Sequence, residues 1–412
     1  MKIALVSYSD IRGGAAVVTN RLAEALRAEG HDARMIVFSK ESPSENVEVI
    51  SSRPRRMGAK IAERLEIFVQ NGFSKAELFK VSTGSTGSGI LDNSFVREAD
   101  AIILAWVNQG AVSLEDIKAL GQMGKPILYV MHDMWCFTGI CHHSIGCTNY
   151  KKECGNCRFL GMFKGKNDLS HRVWKKKKNV YSATGIKFIA VSSWLKEKAD
   201  ESSLLKGEHT YYIPNPFPVD EFHCTPNNRS ALTDLGINPG KRLLLMGAAR
   251  LDDTIKDLPT AIAALNITAE RDPMFKDSFE VVFFGNLRNT EILSTISFPY
   301  VYTGMIKEKD SLRNLYASAD IVLSSSLFET LPGTLIEGQA SGALPVTFGN
   351  GGQKDIITHL KDGYIASEHS PEALATGIEW AMSQKQDREV LKESVRLRFD
   401  SKIIARKILE LI

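Results

Sequence analysis

Residues 321–337 read Ile321-Val-Leu-Ser-Ser-Ser-Leu-Phe-Glu329-Thr-Leu-Pro-Gly333-Thr-Leu-Ile-Glu337. The run Ile321 to Ser326 is apolar, then small, as a buried strand requires, and Thr334 to Ser341 is patterned as a helix that stops at Gly342. The order is strand, loop, helix N-terminus, the repeating step of an α/β fold. Two carboxylates, Glu329 and Glu337, flank the loop. On one uninterrupted helix they would stand about 12 Å apart at 1.5 Å per residue, too far to share one small ligand group. Pro332-Gly333 breaks the helix and lets them converge.

The free N–H groups of Gly333, Thr334 and their neighbours favour an anion such as phosphate. Carboxylates would repel it, so they must face neutral donors. Ribose and hexose hydroxyls fit, each charge-assisted hydrogen bond being worth about 1.5–3 kcal/mol. A phosphate between two hydroxylated rings is a nucleotide sugar. The same spacing also arises by chance, with one acid simply solvated, so a second feature is needed. Upstream, Leu243-Leu-Leu-Met-Gly-Ala-Ala-Arg250 reads as a strand ending in Arg250, and Lys256 precedes an apolar helix, Ala261 to Leu265. Two fixed cations at the carboxyl end of a parallel strand can hold a diphosphate, Arg by its planar fork and Lys as a point charge.

Together these segments resemble glycosyltransferase family four, retaining enzymes with two facing Rossmann-like domains, the GT-B architecture. Glu329 and Glu337 match the family's Glu-x7-Glu pattern; Arg250-Leu251 and Lys256 match its Gly-Arg-Leu followed by Lys, with Ala249 in place of the glycine. The resemblance implies that Glu329 contacts the sugar, Glu337 the ribose, and Arg250 and Lys256 the diphosphate. It implies same-face attack with the leaving phosphate as base, and no metal for catalysis. Pro332 has no N–H, so backbone contacts must come from Leu331, Gly333 or Thr334.

Earlier landmarks follow the same order. Met1-Lys-Ile-Ala-Leu-Val-Ser-Tyr reads as an opening strand, and Gly13-Gly14 leads into a helix carrying Leu22, Ala23 and Leu26. A Gly-Gly loop lets backbone approach a ligand, and by resemblance Gly13 and Gly14 help bind the donor. Ile127-Leu-Tyr-Val-Met is another strand, ending in His132-Asp133. The family places a His near the transferred sugar, so His132 is expected in the catalytic site with Arg250, Lys256 and Glu329; a satisfied structural His is the alternative. The expected division is an acceptor-side domain at 1–215 with a Cys-rich insertion at 136–157, a donor-binding domain at 216–390, and a C-terminal helix at 391–412 returning to the first domain. Ser82 to Gly89 reads as a flexible loop suited to an acceptor-side lid.

Five of the six cysteines lie between Cys136 and Cys157. Cys141, Cys147, Cys154 and Cys157 have spacings that could wrap one tetrahedral metal, zinc or an iron–sulfur cluster, and Cys154-Gly-Asn-Cys157 is a tight knuckle. Disulfides, disfavoured in a reducing cytosol, and plain thiols stay open as alternatives.

Net charge is only +3, yet ten Lys or Arg fall between Lys151 and Lys178, and Arg53, Arg55, Arg56, Lys60 and Arg64 form a second cluster. Such patches suit anionic headgroups or a polyprenyl-diphosphate acceptor, or are solvated faces. No apolar run reaches the roughly 20 residues of a membrane span, and the opening strand turns polar too soon for a signal peptide. The expectation is a cytoplasmic enzyme, peripheral on the membrane's inner face, moving a sugar from a nucleotide-diphosphate sugar to a glycan or lipid-linked hydroxyl acceptor in bacterial surface polysaccharide synthesis. No nucleic-acid partner is expected. A twin-domain sugar phosphorylase or UDP-sugar epimerase, and a non-catalytic nucleotide-sugar or lipid binder, are the other classes.

Overall fold

The computed structural model describes residues 1–226 and 229–412 and divides into two units, Met1–Phe217 with Ser401–Ile412, and Pro218–Asp400. The first unit runs β1 (Lys2–Ser9), α1 (Gly14–Ala28), β2 (Asp32–Ser39), β3 (Val47–Val49), α2 (Arg53–Gln70), α3 (Ser94–Glu98), β4 (Ala101–Leu104), α4 (Leu114–Gly121), β5 (Ile127–Met131), α5 (Leu169–Tyr181), β6 (Lys187–Ala190), α6 (Ser193–Asp200) and β7 (His209–Tyr212). Its strands form one parallel sheet in the order β3-β2-β1-β4-β5-β6-β7. Ile3 to Val6 and Ala101 to Leu104 are wholly buried, the continuous apolar run of a sheet covered on both faces.

The second unit runs β8 (Arg242–Arg250), α7 (Leu258–Arg271), α8 (Phe275–Ser278), β9 (Phe279–Asn286), β10 (Tyr300–Gly304), α9 (Lys309–Ser318), β11 (Ile321–Ser324), α10 (Gly333–Ala340), β12 (Leu344–Phe348), α11 (Gln353–Ile356), β13 (Tyr364–Ala366), α12 (Pro371–Ser383) and α13 (Arg388–Phe399). Its parallel sheet has the order β10-β9-β8-β11-β12-β13. In both units the first strand has its successor on one side and a later strand on the other. The connections reverse there, and loops leaving the carboxyl ends of β1 and β4, or of β8 and β11, diverge to leave a crevice. These are two parallel-sheet α/β domains.

The divisions fall at Phe217/Pro218 and Asp400/Ser401 rather than at 215/216 and 390/391. Residues 391–400 stay with the second unit because α13 buries Leu391, Val395 and Phe399. At its start the Arg388 guanidinium donates to the carbonyls of Cys224, Ala317, Ala319 and Ser341. Only α14 (Ser401–Leu409) belongs to the first unit, where it packs on α1 and buries Ile404, Ala405 and Ile408. Arg406 pairs with Glu29 at 2.9 Å and Lys187 Nζ donates to the Leu411 carbonyl at 2.6 Å.

The segment expected as a flexible lid, Ser82 to Gly89, is pinned instead. Fully buried Glu63 accepts the N–H groups of Thr83 (2.7 Å) and Gly84 (3.2 Å), Glu66 accepts the hydroxyls of Thr83 and Ser85, and Ser88 Oγ donates to the Gly110 carbonyl at 2.6 Å. Small polar side chains made the loop look mobile; two acids on α2 make it rigid. No helix among the described residues is long and apolar enough to cross a membrane.

Candidate functional site

In the second unit, β8 ends at Arg250 and β11 at Ser324, side by side, and their loops are stitched together. The N–H of Leu327 donates to the Ile255 carbonyl at 2.8 Å, and Ser325 Oγ reaches the carbonyls of Lys256 (2.7 Å) and Asp257 (2.9 Å). This lays Lys256 on Glu329: the ammonium pairs with Oε1 of the carboxylate, to which Ser326 Oγ also donates at 2.8 Å. From behind, the Glu329 carbonyl accepts the N–H of Gly352 at 3.0 Å. A Cβ on Gly351 would lie 2.0 Å from that oxygen, so the loop needs glycine there.

Downstream of Glu329 the chain turns at Pro332 into α10. Neither a side-chain cap nor a first-turn acid occupies its N-terminus, which leaves the N–H groups of Gly333 and Thr334 facing outward for an anion. Glu337 lies half-buried one turn along. Arg250 points its Nε at Asp252, 3.3 Å away. Beyond it a cavity of about 420 Å³ is lined by Asp252, Asp253, Asp257, Leu287 and Asn289. Asp257 takes a left-handed backbone (φ 47°) and binds His369 Nε2 at 2.8 Å; that imidazole lies against the Phe348 ring. The expected residues of this unit thus gather on one strand-end crevice. Lys256 and Glu329, assigned to different parts of a ligand, sit on each other. Ser326, Asp252 and His369 escaped the sequence reading. The Ser324-Ser325-Ser326 run at a strand end was the one available signal, and His369 had none.

In the first unit Gly13 (φ 89°) precedes α1, whose first turn has no acid and no side-chain cap. A Cβ on Gly14 would meet nothing within 4 Å, so packing does not demand this glycine, whereas a ligand approaching the backbone would. A cavity of about 260 Å³ opens there, walled by Tyr8, Arg12 and Trp106. The buried Ser7 Oγ on its wall has no hydrogen-bond partner among the described residues. Trp106 is oriented by Asp133, which accepts its indole N–H at 2.8 Å. Asp133 also binds His142 Nδ1 at 2.7 Å, and His142 Nε2 reaches Ser82 Oγ at 3.2 Å. Burial alone would raise the Asp133 carboxyl; His142, His143 and the Trp135 N–H together outweigh burial and bring it to about 2. Spacing could not reveal this network, because Ser82, Trp106 and His142 meet only through the fold.

His132 stands apart from Gly13 and Gly14. It lines a separate small apolar cavity with Val18, Leu22, Ile189 and Ile408, and its Nε2 is buried without a partner among the described residues. Burial lowers its pKa to about 4, so it is neutral at physiological pH.

Among the described residues no three His, Cys, Asp or Glu side chains are arranged to hold a metal ion, although Cys141, Cys147, Cys154 and Cys157 lie near enough that each thiol feels others of the set. All six cysteines are free thiols. The Gly139 N–H points at Cys154 Sγ (3.1 Å), and burial pushes the thiols of Cys141 and Cys157 up to about 12 and that of Cys154 up to about 11. A lysine secures the start of this loop. Lys177, counted in the sequence among surface cations, is wholly buried on α5. It donates to the carbonyls of Trp135 and Thr138 and sits 3.4 Å above the Trp135 ring centre.

Comparison with known proteins bears on both units. Residues 234–398 match the family model described as glycosyl transferases group 1. An uncharacterized glycosyltransferase, MJ1607 of Methanocaldococcus jannaschii, is 29% identical over 96 residues, 23% of this chain and 24% of that protein. The sulfoquinovosyl transferase SQD2 of Arabidopsis thaliana is 25% identical over 186 residues, 44% of this chain and 33% of that protein. The chain therefore spans about a quarter and a third of the length of the curated relatives it matches. Among solved structures, Anabaena Alr3699/HepE in complex with UDP and glucose superposes with a TM-score of 0.62 at 16% identity, covering 100% of this chain and 98% of that one. Residues 234–398 thus resemble the glycosyl transferases group 1 model, and the two parallel-sheet α/β units share the fold of solved glycosyltransferase structures.

Proposed function

We propose that the chain is a retaining glycosyltransferase that moves a sugar from a nucleoside-diphosphate sugar to a hydroxyl of a glycan or lipid-linked acceptor, at the inner face of a membrane and in surface polysaccharide synthesis. The observation that carries the reading is the cluster of Lys256, Glu329 and Ser326 beside the open N-terminus of α10, at the strand crossover of the group 1 domain. That strand-end crevice is where parallel α/β sheets take their ligands. Arg250 and Lys256 supply positive charge where the departing diphosphate becomes more negative, and the N–H groups of Gly333 and Thr334 add fixed dipoles. Glu329 orients sugar hydroxyls and Glu337 the ribose; neither is a proton carrier in this scheme. The acceptor hydroxyl attacks the anomeric carbon from the face that the leaving phosphate vacates, and that phosphate takes the hydroxyl proton. The cavity at Gly13 and Gly14, walled by Tyr8 and Trp106, offers flat aromatic surface to a sugar ring. A reducing cytoplasm suits six free thiols.

A thermal-shift screen of nucleoside diphosphates and their sugars should raise the melting temperature with at least one pair, and the same donor should then be consumed in a transfer assay. Lys256→Ala should lower turnover by about 100-fold or more, the scale seen when one preorganised transition-state donor is lost. Turnover within a few-fold of the parent would remove Lys256 from the mechanism, and absence of stabilisation by every nucleotide tested would remove the donor class.

A further inference from the structure

A line of exposed apolar side chains follows α2. Met57, Ile61, Leu65 and Val69 recur every fourth residue, so each stands one turn above the last over a rise of about 18 Å. Ile61 is 60% exposed and Leu65 58%, while the whole helix buries only Glu63 and Ile67. The line continues past the helix end at Phe73, 63% exposed, and is joined there by a distant segment. Met162, 80% exposed, places its Cγ 3.3 Å from where a Cβ of Gly72 would lie, with Phe163 beside it. A patch built this way from two segments is not scattered surface hydrophobicity.

Among the described residues, the exposed charges around it that lack an ion-pair partner are positive, Glu77 being paired with Lys80 at 2.9 Å. Lys75, Lys164 and Lys166 are exposed and make no ion pair among the described residues. Exposed Arg172 bonds the side chain of Gln70 at 3.1 Å and so stands at the end of α2. The neighbouring acids turn inward: Glu63 and Glu66 are occupied by the 83–85 segment, and buried Asp168 caps α5. By contrast Arg56 and Arg64, which looked in the sequence like headgroup binders, donate to backbone carbonyls of their own unit.

We propose that this strip docks the first unit onto an anionic lipid bilayer, with the line from Met57 to Phe73 and Met162 entering the headgroup boundary and Lys75, Lys164, Lys166 and Arg172 meeting lipid phosphates. Long apolar side chains ringed by cations with no acid partner among the described residues complement such a surface, in which negative headgroups overlie acyl chains. The inference rests on the reading that the enzyme works at a membrane, but not on the transfer reaction, because docking is measured without donor or acceptor.

The test is flotation of the full chain with vesicles of phosphatidylcholine alone or with about 30% phosphatidylglycerol, at about 50 mM and about 500 mM salt. The parent should float with anionic vesicles at low salt and only weakly with neutral ones. Ile61→Glu/Leu65→Glu should cut the floated fraction about fivefold or more, and Lys164→Gln/Lys166→Gln should lower it at low salt. Both variants should keep the parent's melting temperature and nucleotide-induced shift. Absence of anionic-vesicle binding at low salt, or binding undiminished in the Glu variant, overturns the docking surface. So does a parent dimer that the Glu variant abolishes without any vesicle binding, which would make the strip a contact between copies. Intact docking with no nucleotide shift would strike the donor reading alone.

Discussion

Glu329 and Lys256 stand 73 positions apart and meet because Ser325 and Leu327 sew one loop to the other. Pairing them holds both side chains in place at a partly buried site, where either alone would face an uncompensated desolvation cost. Glu337 is seated on α10, and we propose that it meets the ribose. Glu337→Gln keeps the shape and removes the charge, so affinity for the nucleoside diphosphate should fall by about 10- to 100-fold, the worth of a charge-assisted bond to a hydroxyl. Calorimetric titration measures this, and an unchanged Kd would show that Glu337 does not touch the nucleotide. His132 carries a prediction of its own. Its folded pKa is depressed to about 4, below the ordinary value near 6.5, so the neutral imidazole is the buried form. The resulting stability is fully present above about pH 6.5. It is lost as pH falls towards 4, because the unfolded ring binds a proton that the folded one refuses, and the contribution is on the order of 3 kcal/mol. An NMR titration should place the His132 transition near pH 4, and His132→Gln should flatten the acid side of the stability profile. A transition near pH 6.5 would mean that the ring is open to water.

At the scale of elements, the 82–89 segment corrects the idea that glycine and serine make a hinge. Its backbone donors end on Glu63, so Glu63→Ala leaves the N–H groups of Thr83 and Gly84 buried and unpaired, a loss of about 1–3 kcal/mol for each. Amide exchange in 82–89 should accelerate in that variant, well beyond any change in the β1–β4 core; equal protection in the two proteins would contradict the pinning. The strand-to-helix steps themselves were legible. β11, its loop and α10 fall where the run from Ile321 to Gly342 placed them, and β8 ends at Arg250 as read. These elements declare themselves by continuous apolar runs and glycine stops, which are local signals. The cysteine-rich loop does not, because its organiser is Lys177 on the following helix, and nothing in a row of four lysines marks the one that points inward.

The whole molecule closes its first unit with the last helix of the chain. Cutting after Asp400 would strip Ile404 and Ile408 from the face of α1 and remove the Arg406–Glu29 pair. The first unit should then melt several degrees lower while nucleotide binding by the second persists, since α13 stays with it. Calorimetry of the truncated chain tests this, and an unchanged melting profile would show that α14 contributes nothing. The sequence by itself determined the α/β class, the strand–loop–helix steps that carry Arg250, Lys256, Glu329 and Glu337, and the glycine loop before α1, because burial pattern, helix stops and charge type are properties of neighbouring residues. Only tertiary structure decided that Lys256 lies on Glu329, that Asp133 serves His142 and Trp106 while His132 turns into an apolar cavity, that Lys177 is buried, and that the apolar side of α2 is left uncovered. Each depends on which distant segment fills the space beside a side chain, and hydrophobic periodicity is the same whether that space holds protein, lipid or water.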